Sequence, residues 1–240
     1  MAACQSLRYE AGSIRVSECN IVPKTLLLDL DGTLVDTVPD IEAALNRLMV
    51  SRGLAVFGRE QVKALVGDGI AALVAGAFAA RGREPDAAAL ADLSADYAER
   101  FAVDSALFPG VLQVLTALAA DGWRLAVCTN KPERPARALL QAMGLMPLLS
   151  AIGGGDSFAA RKPDPAHLLG TLALASGTPD MAVMLGDHRN DILAALGAGM
   201  PGIFAAWGYG GLAMAQGSTA VAGDIAEAAA IANRLLAVPK

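Results

Sequence analysis

The stretch Leu26-Leu27-Leu28-Asp29-Leu30-Asp31-Gly32-Thr33 decides the fold, because it joins an unbroken apolar run to two carboxylates one residue apart. A short, continuous apolar run predicts a strand that is buried on both faces, as strands are in a parallel sheet. Ionised carboxylates at the end of such a strand are costly to bury unless a cation accompanies them. A divalent metal would meet that need, although Asp31-Gly32 by itself is also an ordinary turn dipeptide.

Four other apolar runs follow the same pattern, and each ends at polar or glycine-rich residues. They occupy 125–128, 149–152, 182–185 and 203–206, and the run at 149–152 is the weakest. Helical patterns lie between them; Leu112, Leu115 and Leu118, for example, recur at helical spacing. Alternating strands and helices predict an α/β fold with a doubly wound, Rossmann-like parallel sheet.

One long segment interrupts this alternation. Residues 38–107 contain no convincing strand, and the stripe of Ile41, Leu45, Leu48 and Met49 predicts a helix that Gly53 closes. We therefore expect an all-α insert between the first strand and the second. The predicted organisation is an N-terminal lead at 1–23 that is poorly ordered, a core made of 24–37 and 108–240, and the insert at 38–107.

Composition narrows the possible functions. The 240 residues are 54% hydrophobic, which is enough for a large core, and the net charge of −5 argues against a nucleic-acid-binding surface. The three cysteines have no CxxC spacing, so a disulfide framework or a zinc site is not expected. No apolar run is long enough to span a bilayer. The sequence predicts a cytoplasmic protein that binds neither nucleic acid nor membrane, as a monomer or homodimer.

The polar residues that follow the predicted strands belong together, because strand ends in such a sheet meet at one crevice. Any one of them has an ordinary explanation as a helix cap or a solvated loop charge. Four such sets after successive strands are much harder to explain in that way. The sets are Asp29 with Asp31, Thr129-Asn130-Lys131, Arg161-Lys162-Pro163, and the hexapeptide Gly186-Asp187-His188-Arg189-Asn190-Asp191.

These sets resemble the four motifs of haloacid dehalogenase superfamily phosphatases. DxDGTLxDT occupies 29–37, Thr129 and Lys162 match the second and third motifs, and GDxxxD occupies 186–191. The insert is similar to the family's type-1 helical cap. Within the family, the segments 129–132 and 186–192 most resemble phosphoglycolate phosphatases, which implies 2-phosphoglycolate as the small phosphate-ester substrate.

The resemblance implies a role for each motif residue. Asp29 would attack phosphorus and form an aspartyl phosphate, while Asp31 would act as general acid and then general base. Thr129 and Lys162 would hold the phosphoryl oxygens and stabilise charge in the transition state. The remaining roles are phosphate binding by Asn130 and Gly32, Mg²⁺ binding by Asp29, Asp187 and the backbone carbonyl of Asp31, and support from Asp191 and Gly186.

Several alternatives remain at this point. The Asp31 carboxylate disfavours a dehalogenase, and Asp31-Gly32-Thr33 disfavours a β-phosphoglucomutase-like mutase, because many mutases resemble DxDGV. Sugar-phosphate phosphatases, nucleotidases, pyrophosphatases and a non-catalytic phosphate-ester binding protein stay open. The segment 67–72 formally fits the GxGxxA pattern of dinucleotide-binding proteins, but no βαβ unit is predicted around it.

Recognition of 2-phosphoglycolate also requires a partner for its second anion. The sequence offers Arg47, Lys63 and Arg81 in the insert and does not choose among them. The tripeptide Gly67-Asp68-Gly69 interrupts the predicted helices of the insert. It is either a simple turn or the loop that contacts the substrate.

Overall fold

The protein is described here by a computed structural model covering residues 5–10, 13–18 and 22–237, the first two ranges as backbone only. Strand β1 (Gln5–Glu10) pairs antiparallel with β2 (Ser13–Glu18). This ribbon differs from the poorly ordered lead expected at 1–23, whose other residues before Val22 lie outside the described residues. The alternation of Leu7 and Tyr9 with polar neighbours, repeated at Ile14 and Val16, is the strand signal in this segment.

The main body alternates strands and helices. In chain order, the further strands are β3 (Thr25–Leu28), β4 (Val35–Asp36), β5 (Ala106–Leu107), β6 (Arg124–Cys128), β7 (Leu149–Gly153), β8 (Ala182–Gly186), β9 (Gly202–Ala205) and β10 (Ala220–Ala222). The α-helices are α1 (Val38–Ser51), α2 (Arg59–Lys63), α3 (Ile70–Ala79), α4 (Ala89–Glu99), α5 (Val111–Ala120), α6 (Glu133–Ala142), α7 (Pro165–Leu174), α8 (Arg189–Gly197) and α9 (Ile225–Leu235). None of the helices in the described ranges has both the length and the apolarity that a bilayer crossing requires.

Six strands form one parallel sheet in the order β10-β9-β8-β3-β6-β7. This confirms the doubly wound sheet, and the five predicted runs correspond to β3, β6, β7, β8 and β9. Edge strand β10 was not predicted, because three residues of which two are alanine carry too little pattern.

Both faces of the sheet are covered, which explains why its strands are continuously apolar. Leu26 and Leu28 pack with residues of α5, α6 and α9 on one face. Leu27, between them in the chain, packs with residues of α7 and α8 on the other. Successive strand residues point to opposite faces, so the three consecutive leucines of β3 are all buried.

The insert forms a second hydrophobic cluster from α1 to α4, in which Leu45, Leu48 and Met49 of the predicted stripe are buried. Its two connections to the core run together, because β4 pairs antiparallel with β5. A strand at 106–107 contradicts the expectation that 38–107 has none, since a two-residue strand leaves no periodic signal. The buried Asp40 carboxylate at the start of α1 accepts backbone N–H bonds from Val103, Asp104 and Ser105 near the end of the insert.

Candidate active site

The sheet order places the site between β3 and β8. These strands are neighbours, yet the chain leaves β3 toward β6 and leaves β8 toward β9 on the other side. Ligand sites of open α/β sheets lie at such a switch point, beyond the carboxyl ends of the strands. Asp29 follows β3, Asp187 follows β8, and the Asp29 N–H donates to the Leu185 carbonyl at 2.9 Å.

Three carboxylates meet in this crevice. Carboxylate oxygens of Asp29, Asp187 and Asp191 lie within 4.8 Å of one another, and all three residues are buried. The Lys162 ammonium lies 2.8 Å from Asp29 Oδ1 and 2.6 Å from Asp191 Oδ1. One cation for three carboxylates leaves the cluster acidic, and oxygen donors of this kind suit a hard divalent cation.

The electrostatics of the cluster agree with a cation site. Burial, with the charge of Asp191, raises the pKa of Asp187 to about 6. Burial also raises the pKa of Asp29, against the opposing effect of Lys162. Burial alone would lower the pKa of Lys162, but Asp191 and Asp29 together raise it above its ordinary value, so the lysine stays charged. A bound cation would relieve the cost of the remaining negative charge.

Asp187 is held rigidly by the first motif and by the segment after β9. Its Oδ1 accepts from Thr33 Oγ1 at 2.8 Å, and its Oδ2 accepts from the Tyr209 N–H at 2.8 Å. Gly32 has a φ of +85° and lies so close to Asp187 that a Cβ at this position would overlap the carboxylate. Gly32 is therefore required for close approach and for its backbone conformation.

Asp191 positions Lys162. Its Oδ1 accepts from the Lys162 ammonium, and its Oδ2 accepts from the His188 N–H at 2.9 Å, so each oxygen of this carboxylate has a protein donor. A Cβ on Gly186 would overlap the Asp191 carboxylate, which explains the glycine in the fourth motif. His167 holds the backbone of the same lysine, because its Nδ1 accepts from the Lys162 N–H at 3.1 Å.

Asp31, the second carboxylate of the first motif, lines the cavity. Thr37 Oγ1 donates to Asp31 Oδ1 at 2.7 Å, and Lys131 Nζ lies 3.0 Å and 3.2 Å from the two carboxylate oxygens. Lys131 also donates to the Tyr97 hydroxyl of α4 at 3.0 Å. Lys131 belongs to the second set of polar residues that the sequence places at the crevice, but the sequence assigns it no role. Its place beside Thr129 at a strand end is the signal that could have identified it.

The two residues that follow β6 have different surroundings. Thr129 lines the cavity, and its Oγ1 accepts from the Lys131 N–H at 3.2 Å. Asn130 also lines the cavity, but its Nδ2 donates to the carbonyls of Gly67 and Lys162, both at 3.0 Å. The Asn130 side chain thus connects the third motif to a loop of the insert.

A cavity of about 520 Å³ lies between the core and the insert. The core contributes Asp29, Asp31, Thr129, Asn130 and Lys131 to its lining. The insert contributes mainly apolar side chains, among them Ile41, Val66, Ile70, Leu73 and Leu93. A small ester enclosed there would be shielded from water.

The loop Gly67-Asp68-Gly69 reaches the core, since Gly67 and Gly69 line the cavity and Asp68 Oδ1 accepts from Asn190 Nδ2 at 2.6 Å. The segment before it contains helix α2 and no strand, so its GxGxxA pattern lacks the context of a dinucleotide site.

The three cations proposed from sequence for the second anion do not line this cavity. Arg47 pairs with Asp96, Lys63 with Glu60, and Arg81 donates to backbone carbonyls of the insert. That interpretation was wrong for the described structure, because each of the three has a partner within the insert itself.

The segment after β9 also contributes to the site. Trp207 Nε1 donates to the Thr33 carbonyl at 3.0 Å. The Tyr209 hydroxyl donates to Asp36 Oδ1 at 2.8 Å and accepts from the Thr37 N–H at 2.7 Å. Both aromatic side chains therefore lie against the first motif.

This arrangement of carboxylates, lysine and threonine fits metal-dependent phosphoryl transfer. The family model of haloacid dehalogenase-like hydrolases matches residues 26–205. A phosphoglycolate phosphatase of Rhodospirillum rubrum is 44% identical over 214 residues, covering 85% of this chain and 89% of that protein. One of Caulobacter vibrioides is 43% identical over 189 residues, covering 77% and 80%. The chain therefore belongs to the haloacid dehalogenase-like hydrolase family.

Solved structures agree with this assignment. A protein of Haemophilus somnus, described as a predicted phosphoglycolate phosphatase, has a TM-score of 0.81 against this fold. It is 30% identical in sequence, and the comparison covers 87% of this chain and 97% of that one.

Proposed function

We propose that the protein is a metal-dependent phosphatase that hydrolyses 2-phosphoglycolate to glycolate and phosphate. The observation that carries the proposal is the position of Asp29, which lies 2.8 Å from the Lys162 ammonium and within 4.8 Å of the Asp187 carboxylate. The names of the similar proteins support the substrate.

In the proposed reaction an oxygen of Asp29 forms a bond to phosphorus, and the bond from phosphorus to the ester oxygen breaks. This step requires a protonated Asp31, which gives its proton to that oxygen, so glycolate leaves with a hydroxyl group. Asp31 then takes a proton from water, and the water oxygen attacks phosphorus. The bond between phosphorus and Asp29 breaks, and inorganic phosphate is released.

The other residues hold the phosphoryl group and its charge. Lys162, fixed by Asp191, faces Asp29 and is placed to stabilise negative charge on the phosphoryl oxygens. The Thr129 hydroxyl would donate to another of those oxygens. We assign Mg²⁺ to Asp29, Asp187 and the Asp31 carbonyl; when bound, it neutralises phosphate charge and supplies electrostatic stabilisation.

A sugar-phosphate phosphatase or a mutase is the alternative of greatest weight. Its substrate carries several hydroxyl groups, and each must find a hydrogen-bond partner once enclosed. The insert's part of the cavity lining is largely apolar. This favours a small leaving group that has few hydroxyls.

The proposed setting is the cytoplasm, with the chain acting as a monomer or homodimer. Cys128 is a buried free thiol, which agrees with a reducing compartment.

The test is phosphate release with Mg²⁺ from 2-phosphoglycolate, compared with sugar phosphates, nucleoside monophosphates and pyrophosphate. We expect the highest kcat/KM for 2-phosphoglycolate. A higher value for another ester would retain the mechanism and replace the substrate. No release from any of these esters would favour a mutase or a non-catalytic binding protein.

A further inference from the structure

The shape of the proposed substrate restricts where its second anion can bind. In 2-phosphoglycolate one methylene group separates the carboxylate from the ester oxygen, so the two groups lie roughly 3 Å apart. Asp31 must reach that ester oxygen to protonate it. A cation that binds the carboxylate must therefore lie beside Asp31, which distant cations of the insert do not.

Lys131 is the cation at that place. Its ammonium is 3.0 Å from Asp31 Oδ1, and both residues line the cavity. The same ammonium lies 3.0 Å from the Tyr97 hydroxyl, so it is held at the cavity between an oxygen of the core and one of the insert. Asp31 Oδ1 also accepts from Thr37, so Asp31 keeps a donor if Lys131 shares its ammonium with a ligand.

Tyr97 supplies a donor from the insert. Its hydroxyl oxygen accepts from Lys131, and within the described residues its own O–H has no recorded acceptor. Tyr97 is largely buried and lines the same cavity. A buried phenol usually finds a partner for its proton, and a carboxylate would be a strong one.

We propose that Lys131 and Tyr97 form the subsite that binds the carboxylate of the substrate. The inference rests on the proposed function, since it identifies how that substrate is selected. It assigns specificity to the boundary between the core and the insert: the ammonium comes from the core after β6, and the phenol comes from α4.

The test compares 2-phosphoglycolate with ethyl phosphate. The two esters share the phosphate group, and ethyl phosphate has a methyl group in place of the carboxylate. The measured quantity is the ratio of their kcat/KM values in the wild type and in Lys131→Met, Tyr97→Phe and Arg134→Met. Arg134 is a second cation at the cavity lining, exposed in the first turn of α6. Lys63→Met changes a lysine that pairs with Glu60 outside the cavity and is the matched control.

We expect Lys131→Met to lower the ratio by on the order of 10–100-fold, as loss of one charge-assisted hydrogen bond does. Tyr97→Phe should lower it by about 3–10-fold, and Lys131→Arg should restore part of the loss. The ratio in Lys63→Met should equal that of the wild type. Tyr97→Phe removes only one oxygen atom, so it tests the subsite even if Lys131→Met does not fold.

Equal losses for both esters in Lys131→Met and Tyr97→Phe would overturn the subsite, because they would mean that the two residues act only by positioning Asp31. If Arg134→Met were the only variant that lowered the ratio, Arg134 and not Lys131 would be the residue that binds the carboxylate. If the wild type showed no preference for 2-phosphoglycolate over ethyl phosphate, the proposed function itself would fail, and the subsite with it.

Discussion

The core wall of the cavity and the insert wall differ in the kind of side chain that they present. The core wall carries Asp29, Asp31 and Lys131, which are held by short ion pairs: Asp31 pairs with Lys131, and Asp29 pairs with Lys162. The insert wall is mainly apolar, and Arg47, Lys63 and Arg81 of the insert lie outside the cavity, each with a partner on the insert. On the proposed function, strand ends of the core perform the chemistry, the insert encloses the substrate, and residues at the boundary between them select it.

Removal of the proposed nucleophile from the core wall should have the largest effect. Asp29→Asn keeps the size of the side chain but leaves a poor nucleophile, so we expect kcat to fall by at least about 10⁴-fold. The fold should persist, because the change removes a buried carboxylate from an acidic cluster. Phosphate release and thermal unfolding measure the two effects, and retained turnover would exclude Asp29 as nucleophile.

Removal of the metal tests the core wall without mutation. EDTA should abolish phosphate release, and added Mg²⁺ should restore it. Asp187→Asn should raise the Mg²⁺ concentration needed for half-maximal rate by about 10-fold or more, because it removes a charged ligand. Asp180→Asn, at an acidic position away from the cluster, is the control. Activity that does not respond to chelation would contradict the metal assignment.

The placement of the core's site residues was largely predictable from sequence, whereas the contacts between the insert and the core were not. Asp29, Lys162 and Asp187 follow apolar runs, and the geometry of a parallel sheet brings the ends of such runs together. The contacts of Asp68 with Asn190 and of Tyr97 with Lys131 join residues far apart in the chain, with no periodicity to indicate them. Charge alone pointed to cations such as Arg47, and it does not reveal that each has a partner nearby.

The stability of the core should depend on pH through the buried His167. Burial, with the charge of Lys162, lowers the pKa of His167 from 6.5 to about 4, so the folded state keeps this residue neutral where the unfolded state takes up a proton. Stability should therefore fall as the pH drops from about 6.5 to about 4, with a contribution of up to about 3 kcal/mol from His167.

His167→Asn can still accept from the Lys162 N–H but does not titrate. Urea unfolding at pH 7.5 and pH 4.5 should show a smaller loss of stability in this variant than in the wild type. Equal losses in the two proteins would contradict the assignment of the effect to His167.

A smaller effect is expected where the two walls meet. Asp68→Ala removes the acceptor of the 2.6 Å hydrogen bond from Asn190 and loosens the loop of the insert from the core. We expect KM to rise by about 3–10-fold with little change in kcat, since the reacting groups stay in place. Asp92→Ala, which removes an exposed partner of Arg52, is the matched control. A fall in kcat with unchanged KM would instead place Asp68 in the chemistry.

The smallest effect should come from the insert's own cations. Arg47 is bonded through Nε and Nη2 to Asp96, and 42% of its side chain is exposed. Exposed ion pairs contribute little, so Arg47→Gln should cost less than about 1 kcal/mol of stability and leave kcat/KM for 2-phosphoglycolate within about twofold of the wild type. A loss of tenfold or more, confined to the carboxylate-bearing ester, would mean that the insert reaches the substrate with its own charge. The division between a charged core wall and an apolar insert wall would then not hold.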